Sequence, residues 1–307
     1  MSTNPVQPSR HGKSLLDTSD NEIVQDEVVQ PTVSPKNTLN DLTAREWLPE
    51  TISVWLQRGL GAKHPDTAIE RQHPAPFSFT DVSRLVKFFT KQGATVLDPF
   101  CGVGSTLKAC AMTGRNGIGI ELSPKYVSLT KKRLKSELEP KLFVTTEQTV
   151  ICGDSRGKLA SIKENSVDFV VTSPPYWRIL HKRDHKVQQE RVAHSLDSRY
   201  SDDPNDLGNI ENYDKFLVQV GKVLGDCSRS LKGGKYMAVV VSDFRDKGRF
   251  YMFHADLARI LETEYPFRLK GITVLYQRFK RVFPYGYPSS FVPNIHHQYV
   301  LVLQNAK

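Results

Sequence analysis

Seven short apolar segments that alternate with helical patterns constrain this chain more than any other feature of its sequence. Each segment is a candidate strand, and strands separated by amphipathic helices predict an α/β fold around a wound, largely parallel sheet. The candidate strands cover residues 95–97, 117–120, 150–152, 167–172, 236–242, 272–276 and 299–303.

The helical patterns between these strands have recognisable ends. Ser123-Pro124 supplies an N-cap and a first-turn proline for one helix, whose basic residues 131–133 we expect on its exposed face. A second helix over 213–231 is predicted to stop at Gly233-Gly234. A third pattern over 42–60 carries two tryptophans that we expect to pack in the core.

The 307 residues suit one catalytic domain over residues 41–307. Residues 1–40 are rich in polar residues and poor in large apolar ones, so we expect a disordered N-terminal tail. The net charge of +9 favours a polyanionic partner. No apolar run approaches the roughly 20 residues that span a bilayer, which predicts a cytoplasmic protein with no membrane partner.

The four cysteines, Cys101, Cys110, Cys152 and Cys227, are scattered along the chain without a C-x-x-C pair. Because no histidine accompanies them at zinc spacing, we expect reduced thiols, no disulfide and no metal.

The first motif with chemical meaning runs from the strand at 95–97 through a glycine turn, Gly102-Val-Gly104, into a helix that begins near Ser105. Glycines let the backbone approach a ligand, and a helix N-terminus offers free N–H groups. Glu121 ends the next strand, where an acidic side chain accepts hydrogen bonds from ribose hydroxyls in nucleotide-binding folds. Asp98 inside the turn argues against a pyrophosphate, since a carboxylate repels phosphate but attracts an ammonium or sulfonium.

The second motif, Ser173-Pro174-Pro175-Tyr176, follows the strand at 167–172. Two prolines fix the backbone and remove two N–H donors, leaving carbonyl oxygens as acceptors for an amino group. Tyr176 offers a ring on which a base can stack.

Together these motifs resemble those of the S-adenosylmethionine-dependent DNA amino-methyltransferases of bacterial restriction–modification systems, which methylate N6 of adenine or N4 of cytosine. The initial serine in Ser173-Pro-Pro-Tyr is typical of the cytosine-N4 enzymes. Further similar stretches are His73-Pro-Ala-Pro-Phe and His297-Gln-Tyr. The resemblance implies a Rossmann-like three-layer sandwich whose seven-stranded mixed sheet has an antiparallel last strand.

The resemblance also implies where S-adenosylmethionine and the base lie. Glu121 would hold the ribose, Asp98 the ammonium and Asp154 the adenine. The full set implied in cofactor binding is Phe77, Asp98, Pro99, Phe100, Cys101, Gly102, Gly104, Ser105, Glu121 and Asp154. The catalytic set is Ser173, Pro174, Pro175 and Tyr176. Ser173 and the Pro174 carbonyl would accept the two hydrogens of the exocyclic amino group, so that its lone pair attacks the sulfonium methyl in line. Cys101 is expected to be a small packing residue.

Two stretches that combine cations with aromatic rings are candidates for contact with double-stranded DNA. They form short recognition loops near 177–212 and 278–297, and their candidate residues are Arg178, Lys182, Arg183, Lys186, Arg278, Lys280 and Arg281. A cognate restriction endonuclease is a further expected partner. Methylation of adenine N6, methylation of an RNA base, and a nucleic-acid-binding module without catalysis remain the alternatives.

Overall fold

The computed structural model describes residues 32–57, 67–138, 146–178, 201, 203–278 and 280–307. Val33–Lys307 form one compact unit, and the fold below is that of this unit. The prediction that residues 1–40 are a disordered tail falls largely outside the described residues, and the extent of the tail stays a prediction. Asn40 is buried, with its side-chain amide donating to the Phe88 carbonyl at 2.6 Å.

An eight-stranded sheet forms the centre of the molecule. Its strands are β1 (Val54–Leu56), β2 (Thr95–Asp98), β3 (Asn116–Glu121), β4 (Gln148–Cys152), β5 (Val167–Thr172), β6 (Leu231–Val241), β9 (Phe267–Tyr276) and β10 (His297–Asn305). A separate hairpin consists of β7 (Phe244–Asp246) and β8 (Arg249–Tyr251).

The spatial order of the sheet is β1-β9-β10-β6-β5-β2-β3-β4. β10 is antiparallel to both of its neighbours, and every other pairing that joins two strands of this sheet is parallel. The order reverses at β2, which has β3 on one side and β5 on the other. In such sheets ligands bind beyond the carboxyl ends of the strands at this switch point.

Helices cover both faces of the sheet. They are α1 (Ala44–Glu50), α2 (Thr67–Glu70), α3 (Phe79–Phe89), α4 (Ser105–Thr113), α5 (Pro124–Leu138), α6 (Ser155–Lys158), α7 (Tyr213–Ser230) and α8 (Phe253–Glu264). Apolar residues of α3 and α4 pack on one face, and those of α7 and α8 on the other. The predicted Rossmann-like three-layer sandwich is confirmed, as are all seven predicted strands.

The predicted strand number is wrong, because β1 adds an eighth strand parallel to β9. The predicted helix over 42–60 ends early: α1 stops at Glu50, just after Pro49, and Trp55 enters the core from β1. Proline removes a helical N–H donor and clashes with the preceding turn, so Pro49 within α1 disfavours a long helix over this segment.

Two further expectations need correction. α7 ends at Ser230, one residue from the predicted end, but Gly233-Gly234, expected to stop it, lie within β6 beside a register shift. Arg133, expected on the exposed face of α5, is fully buried, while its neighbours Lys131 and Lys132 are exposed. Its guanidinium lies 2.8 Å from a Glu70 carboxylate oxygen and also binds the Ser105 hydroxyl at 3.0 Å, which offsets the cost of burying the charge.

Candidate active site

A cleft of about 720 Å³ opens at the carboxyl edge of the sheet, beside the switch point. Its lining includes Pro99, Phe100, Gly102, Glu121 and Asp154 from the predicted cofactor set, together with Ser173 and Pro175 from the catalytic motif. A smaller adjoining opening of about 330 Å³ contains Phe77, Asp98, Cys101 and Ser105, and again Phe100, Gly102 and Ser173. The two openings therefore bring together every predicted cofactor residue except Gly104.

The glycine turn owes its shape to two left-handed residues. Gly102 has φ 54° and Gly104 has φ 77°. A Cβ on Gly104 would lie 2.5 Å from Cγ2 of Thr130, so only glycine fits there. Gly104 is the N-cap of α4, and it shapes the turn without lining the cleft. Cys101 is buried against β3, where a Cβ on Gly119 would lie 2.4 Å from its Sγ. The position of Cys101 agrees with a packing role.

Glu121 closes the turn from the end of β3. Its carboxylate accepts the backbone N–H of Gly102 at 2.9 Å and that of Ser123 at 2.7 Å. Burial raises the pKa of Glu121 to about 7, and the nearby charges of Asp98 and Asp206 push it in the same direction. Each carboxylate oxygen keeps a lone pair for a ligand hydroxyl, and a ligand that donates there favours the charged form.

Asp98 lies at the base of the smaller opening and is 3 % exposed. Its carboxylate accepts hydrogen bonds from the Thr106 hydroxyl, from the Thr172 hydroxyl at 2.6 Å and from the Phe100 N–H at 3.0 Å. Burial nevertheless raises its pKa. Asp98 thus joins β2, α4 and the end of β5, and its role at a cofactor ammonium stays a prediction.

Asp154 has a different environment on the rim of the cleft. It caps α6 by accepting the Arg156 N–H at 2.9 Å, and it pairs with the Arg156 guanidinium at 2.6 Å. Burial alone would raise the pKa of Asp154, but the hydrogen bonds and charge of Arg156 outweigh it and lower the pKa. Asp154 therefore remains ionised through the neutral range.

The catalytic motif leaves β5 directly into the cleft. Pro174 is buried, whereas Ser173 and Pro175 line the opening. The Tyr176 hydroxyl accepts a hydrogen bond from the side-chain amide of Gln298 at 2.9 Å and shares another with the Ser173 side chain. Burial raises the pKa of Tyr176, so the phenol stays neutral. Two side chains therefore hold the Tyr176 hydroxyl in place.

Gln298 was not among the predicted site residues, although it belongs to the closing His297-Gln298-Tyr299 stretch. It is the second residue of β10, the antiparallel strand, so the sequence could not place it near the motif that follows β5. Its side-chain oxygen accepts a hydrogen bond from Gln57 Nε2 at 3.4 Å, and Gln57 Oε1 accepts one from Gln277 Nε2 at 3.0 Å. A row of glutamines thus connects the edge of the sheet to the catalytic motif.

A second group of cleft residues was not among the predicted cofactor or catalytic residues, although His73 belongs to the His73-Pro-Ala-Pro-Phe stretch and residues 201–206 to the predicted recognition loop near 177–212. Ser201, Asn205 and Asp206 line its far side, and the Asp206 carboxylate accepts the Ser201 hydroxyl and the Gly208 N–H, both at 2.9 Å. His73 and Tyr126 line the near side and contact each other edge to face. The turn-like composition of residues 201–206 gave no signal for individual site residues within the predicted recognition loop.

The residues predicted to contact nucleic acid lie in separate parts of the chain. Lys182, Arg183 and Lys186 lie outside the described residues. Arg178 is paired loosely with Glu211 at 3.6 Å. The neighbouring Trp177 is buried in the core, with its indole N–H donating to the Ile210 carbonyl, so it is not an exposed stacking ring. Arg278, Lys280 and Arg281 are exposed between β9 and β10.

All four cysteines have free thiols. Among the described residues no group of three or more His, Cys, Asp or Glu side chains is arranged to hold a metal ion. Within the same part of the chain, no helix combines the length and apolar character needed to cross a membrane.

Comparison with known proteins finds matches to two methyltransferase families. Residues 10–132 match a DNA methylase family of the N6/N4 type, and residues 93–198 match a family described as RNA cap guanine-N2 methyltransferase. The type II methyltransferase M.BglI of Bacillus subtilis is 37% identical over 97 residues, which are 32% of this chain and 26% of that protein. M.ScaI of Streptomyces caespitosus is 34% identical over 80 residues, 26% of each chain.

The chain thus spans about a quarter of the length of these curated relatives. Among solved structures, TTHA0409 of Thermus thermophilus in complex with S-adenosyl-L-methionine is 25% identical, covering 50% of this chain and 54% of that one with a TM-score of 0.35. NSun6 of Pyrococcus horikoshii, with 11% identity, covers 81% of this chain and 57% of its own with a TM-score of 0.47.

Proposed function

Because its sequence places this chain in the N6/N4 DNA amino-methyltransferase family, whose cofactor is S-adenosylmethionine, we propose that it transfers the cofactor's methyl group to N4 of cytosine in double-stranded DNA. The observation that carries this proposal is the position of Ser173, which lines both openings of the cleft. A reacting amino group at Ser173 would therefore lie next to whatever occupies the glycine turn.

The residues of the cleft suit S-adenosylmethionine. Glu121 offers acceptors for ribose hydroxyls, and the carboxylates of Asp98 and Glu121 favour a cation over a phosphate. S-adenosylmethionine supplies an electrophilic methyl group on a sulfonium, so no metal is needed for the transfer.

On the base side, the chain's task is to orient a weak nucleophile. The lone pair of the exocyclic nitrogen is delocalised into the ring, and hydrogen bonds from its two N–H groups to Ser173 and the Pro174 carbonyl would turn it toward the methyl. The Tyr176 ring would stack on the extruded base, whose extrusion costs a few kcal/mol. Because Gln298 and Ser173 both bind the Tyr176 hydroxyl, the ring is positioned before the base arrives.

The choice of cytosine N4 over adenine N6 rests on the serine that begins the catalytic motif. We also propose that a restriction enzyme acts together with this protein and that the protein is located with the DNA of the cell. Arg178, Arg278, Lys280 and Arg281 are the described residues that we propose contact the DNA backbone.

The test is to incubate the purified protein with unmethylated bacterial DNA and labelled S-adenosylmethionine, and to identify the labelled nucleoside by mass spectrometry. N4-methyldeoxycytidine is the expected product. N6-methyldeoxyadenosine would overturn the base assignment and keep the chemistry, whereas label in RNA alone would overturn the DNA substrate.

A matched pair of variants shows whether Ser173 takes part. Ser173→Ala is expected to reduce transfer by about 100-fold or more while S-adenosylmethionine still binds, because the variant loses the hydroxyl that contacts the reacting amino group and Tyr176 but keeps the proposed cofactor residues. Ser161→Ala, at an exposed position outside the cleft, should behave as the wild type. Full activity of Ser173→Ala would remove this residue from the mechanism.

A further inference from the structure

The two most exposed large hydrophobic side chains among the described residues are on one loop. Phe291 is 86 % exposed and Tyr287 is 83 % exposed, followed in exposure by Val282, which directly precedes the loop. Single exposed apolar residues are common on protein surfaces, but a loop that displays two aromatic rings in water indicates a binding surface. We call residues 283–294 the aromatic loop.

The aromatic loop is a folded unit. The side chain of Asn294 closes it by accepting the Phe283 N–H at 3.0 Å and donating to the Phe283 carbonyl at 2.8 Å. Inside it, the Gly286 carbonyl accepts the N–H groups of Ser289 and Ser290 at 2.9 and 2.7 Å. Gly286 has φ 76°, and a Cβ there would lie 2.2 Å from the Ser290 carbonyl oxygen. The two exposed rings are therefore presented on a compact support.

The surroundings of the aromatic loop are basic. Residues 265–307 contain no Asp or Glu, and they include Arg278, Lys280 and Arg281 immediately before the loop. A segment without acidic residues that displays both cations and aromatic rings is complementary to a polyanion with stacked bases. A protein partner would not require this absence of negative charge.

The loop is connected to the catalytic motif. β10 begins at His297, three residues after Asn294, and the next residue, Gln298, donates to the Tyr176 hydroxyl. The loop thus leaves the same edge of the sheet at which Ser173 lines the cleft. DNA that delivers a base to Ser173 would lie against this edge.

We propose that the aromatic loop enters the DNA duplex beside the target base and that Tyr287 and Phe291 fill the space left in the base stack. This inference rests on the proposed function. Extruding a base costs stacking energy, and apolar side chains inserted between base steps stabilise the opened duplex. Tyr176 would hold the base outside the helix while the loop keeps the helix open.

The experiment uses two duplexes that contain the methylation site mapped in bacterial DNA. In one duplex the target base is paired, and in the other the opposite position is abasic, so extrusion is less costly. The methyl-transfer kcat/KM is measured on both for the wild type, Tyr287→Ala, Phe291→Ala and the double variant. Leu48→Ala, at another exposed hydrophobic side chain on α1, is the control.

The double variant is expected to lose about tenfold or more in kcat/KM on the paired duplex, since each base–aromatic stacking contact contributes a factor of this order. On the abasic-opposed duplex its loss should be less than about threefold, and Leu48→Ala should match the wild type on both. An equal loss on the two duplexes, or no loss, would overturn the proposal. Absence of any DNA methylation by the wild type would instead overturn the proposed function.

Discussion

Replacing Glu121 with glutamine tests whether a carboxylate at this position controls cofactor binding. Burial raises the pKa of Glu121 to about 7, so at pH 6 roughly a tenth of the free protein carries the ionised group and at pH 8 roughly nine tenths. If the cofactor binds the ionised form, its apparent dissociation constant is the intrinsic one divided by that fraction. The affinity should therefore increase about tenfold between pH 6 and pH 8.

The assay is titration calorimetry with S-adenosylmethionine at several pH values in buffers of different ionisation enthalpy. Binding near pH 6 should release close to one proton from Glu121. The other titratable residues near position 121, including His73, Asp98, Asp154 and Asp206, are the same in Glu121→Gln as in the wild type. The α-amino group of the ligand is the same in both titrations. The difference between the two pH profiles therefore belongs to Glu121. A wild-type profile that matches that of Glu121→Gln would refute the reasoning.

The same group has a measurable effect on the stability of the free protein. Because its pKa is raised from 4.5 to about 7, the native state holds the proton more tightly than the unfolded chain does. Its contribution to stability is fully present below about pH 4.5 and is lost as the pH rises to about 7, a loss of ~3 kcal/mol. Urea denaturation should show that this decrease is absent in Glu121→Gln.

Three further outcomes follow from the packing around the cleft. Gly119→Ala should lower the free energy of unfolding by about 1 to 3 kcal/mol, because the added methyl would lie 2.4 Å from the Cys101 sulfur, and Cys101→Ala should restore part of it in urea denaturation. Iodoacetamide should modify Cys152 alone in the native protein, since the other three thiols are buried, and intact mass spectrometry would reveal any second adduct. Gln298→Leu should lower the kcat for DNA methylation about two- to tenfold when it is made in the wild-type protein. Made in Tyr176→Phe it should have no further effect, because the Gln298 amide acts through the Tyr176 hydroxyl. Independent losses in the double variant would contradict this role.

The sequence was sufficient for the parts of the fold that depend on local pattern. Each of the seven predicted strands is a short, mostly apolar segment, and each is present in the sheet. The eighth, Val54–Leu56, is three residues long and follows a helical pattern, so its pairing with β9 depends on contacts more than 200 residues apart in sequence. No local signal distinguishes such an edge strand from the end of a helix.

Burial of charge was harder to foresee. Arg133 follows two lysines that are exposed, and its sequence context is that of a solvated helix face. In the interior its guanidinium forms ion pairs with two carboxylates. Glu70, on a distant helix, lies at 2.8 Å, and Glu137, one turn further along α5, lies at 3.2 Å. A buried cation needs partners that the tertiary fold supplies, and periodicity alone does not predict them.

The site was predictable where motifs follow strands. Strand ends at one edge of a parallel sheet converge, so the glycine turn, Glu121, Asp154 and Ser173 could be expected in one cleft. Gln298 and Asp206 could not, because one lies on the antiparallel strand and the other on a polar segment without periodicity. Both contribute through hydrogen bonds, whose partners a single sequence does not reveal.

The hydrogen bonds of Asp98 limit how the segment with the glycine turn and the segment with the catalytic motif can be exchanged between proteins of this fold. A chimera that joins the glycine turn of one protein to the catalytic motif of another must keep hydroxyls at Thr106 and Thr172, because both donate to this buried carboxylate. Valine at position 172 would have nearly the same shape but would remove one of the two hydrogen bonds to Asp98 Oδ1, which keeps the Phe100 N–H, at a cost of about 1.5 to 3 kcal/mol. Thr172 directly precedes Ser173, so the residue that determines whether the two segments fit together lies next to the catalytic position.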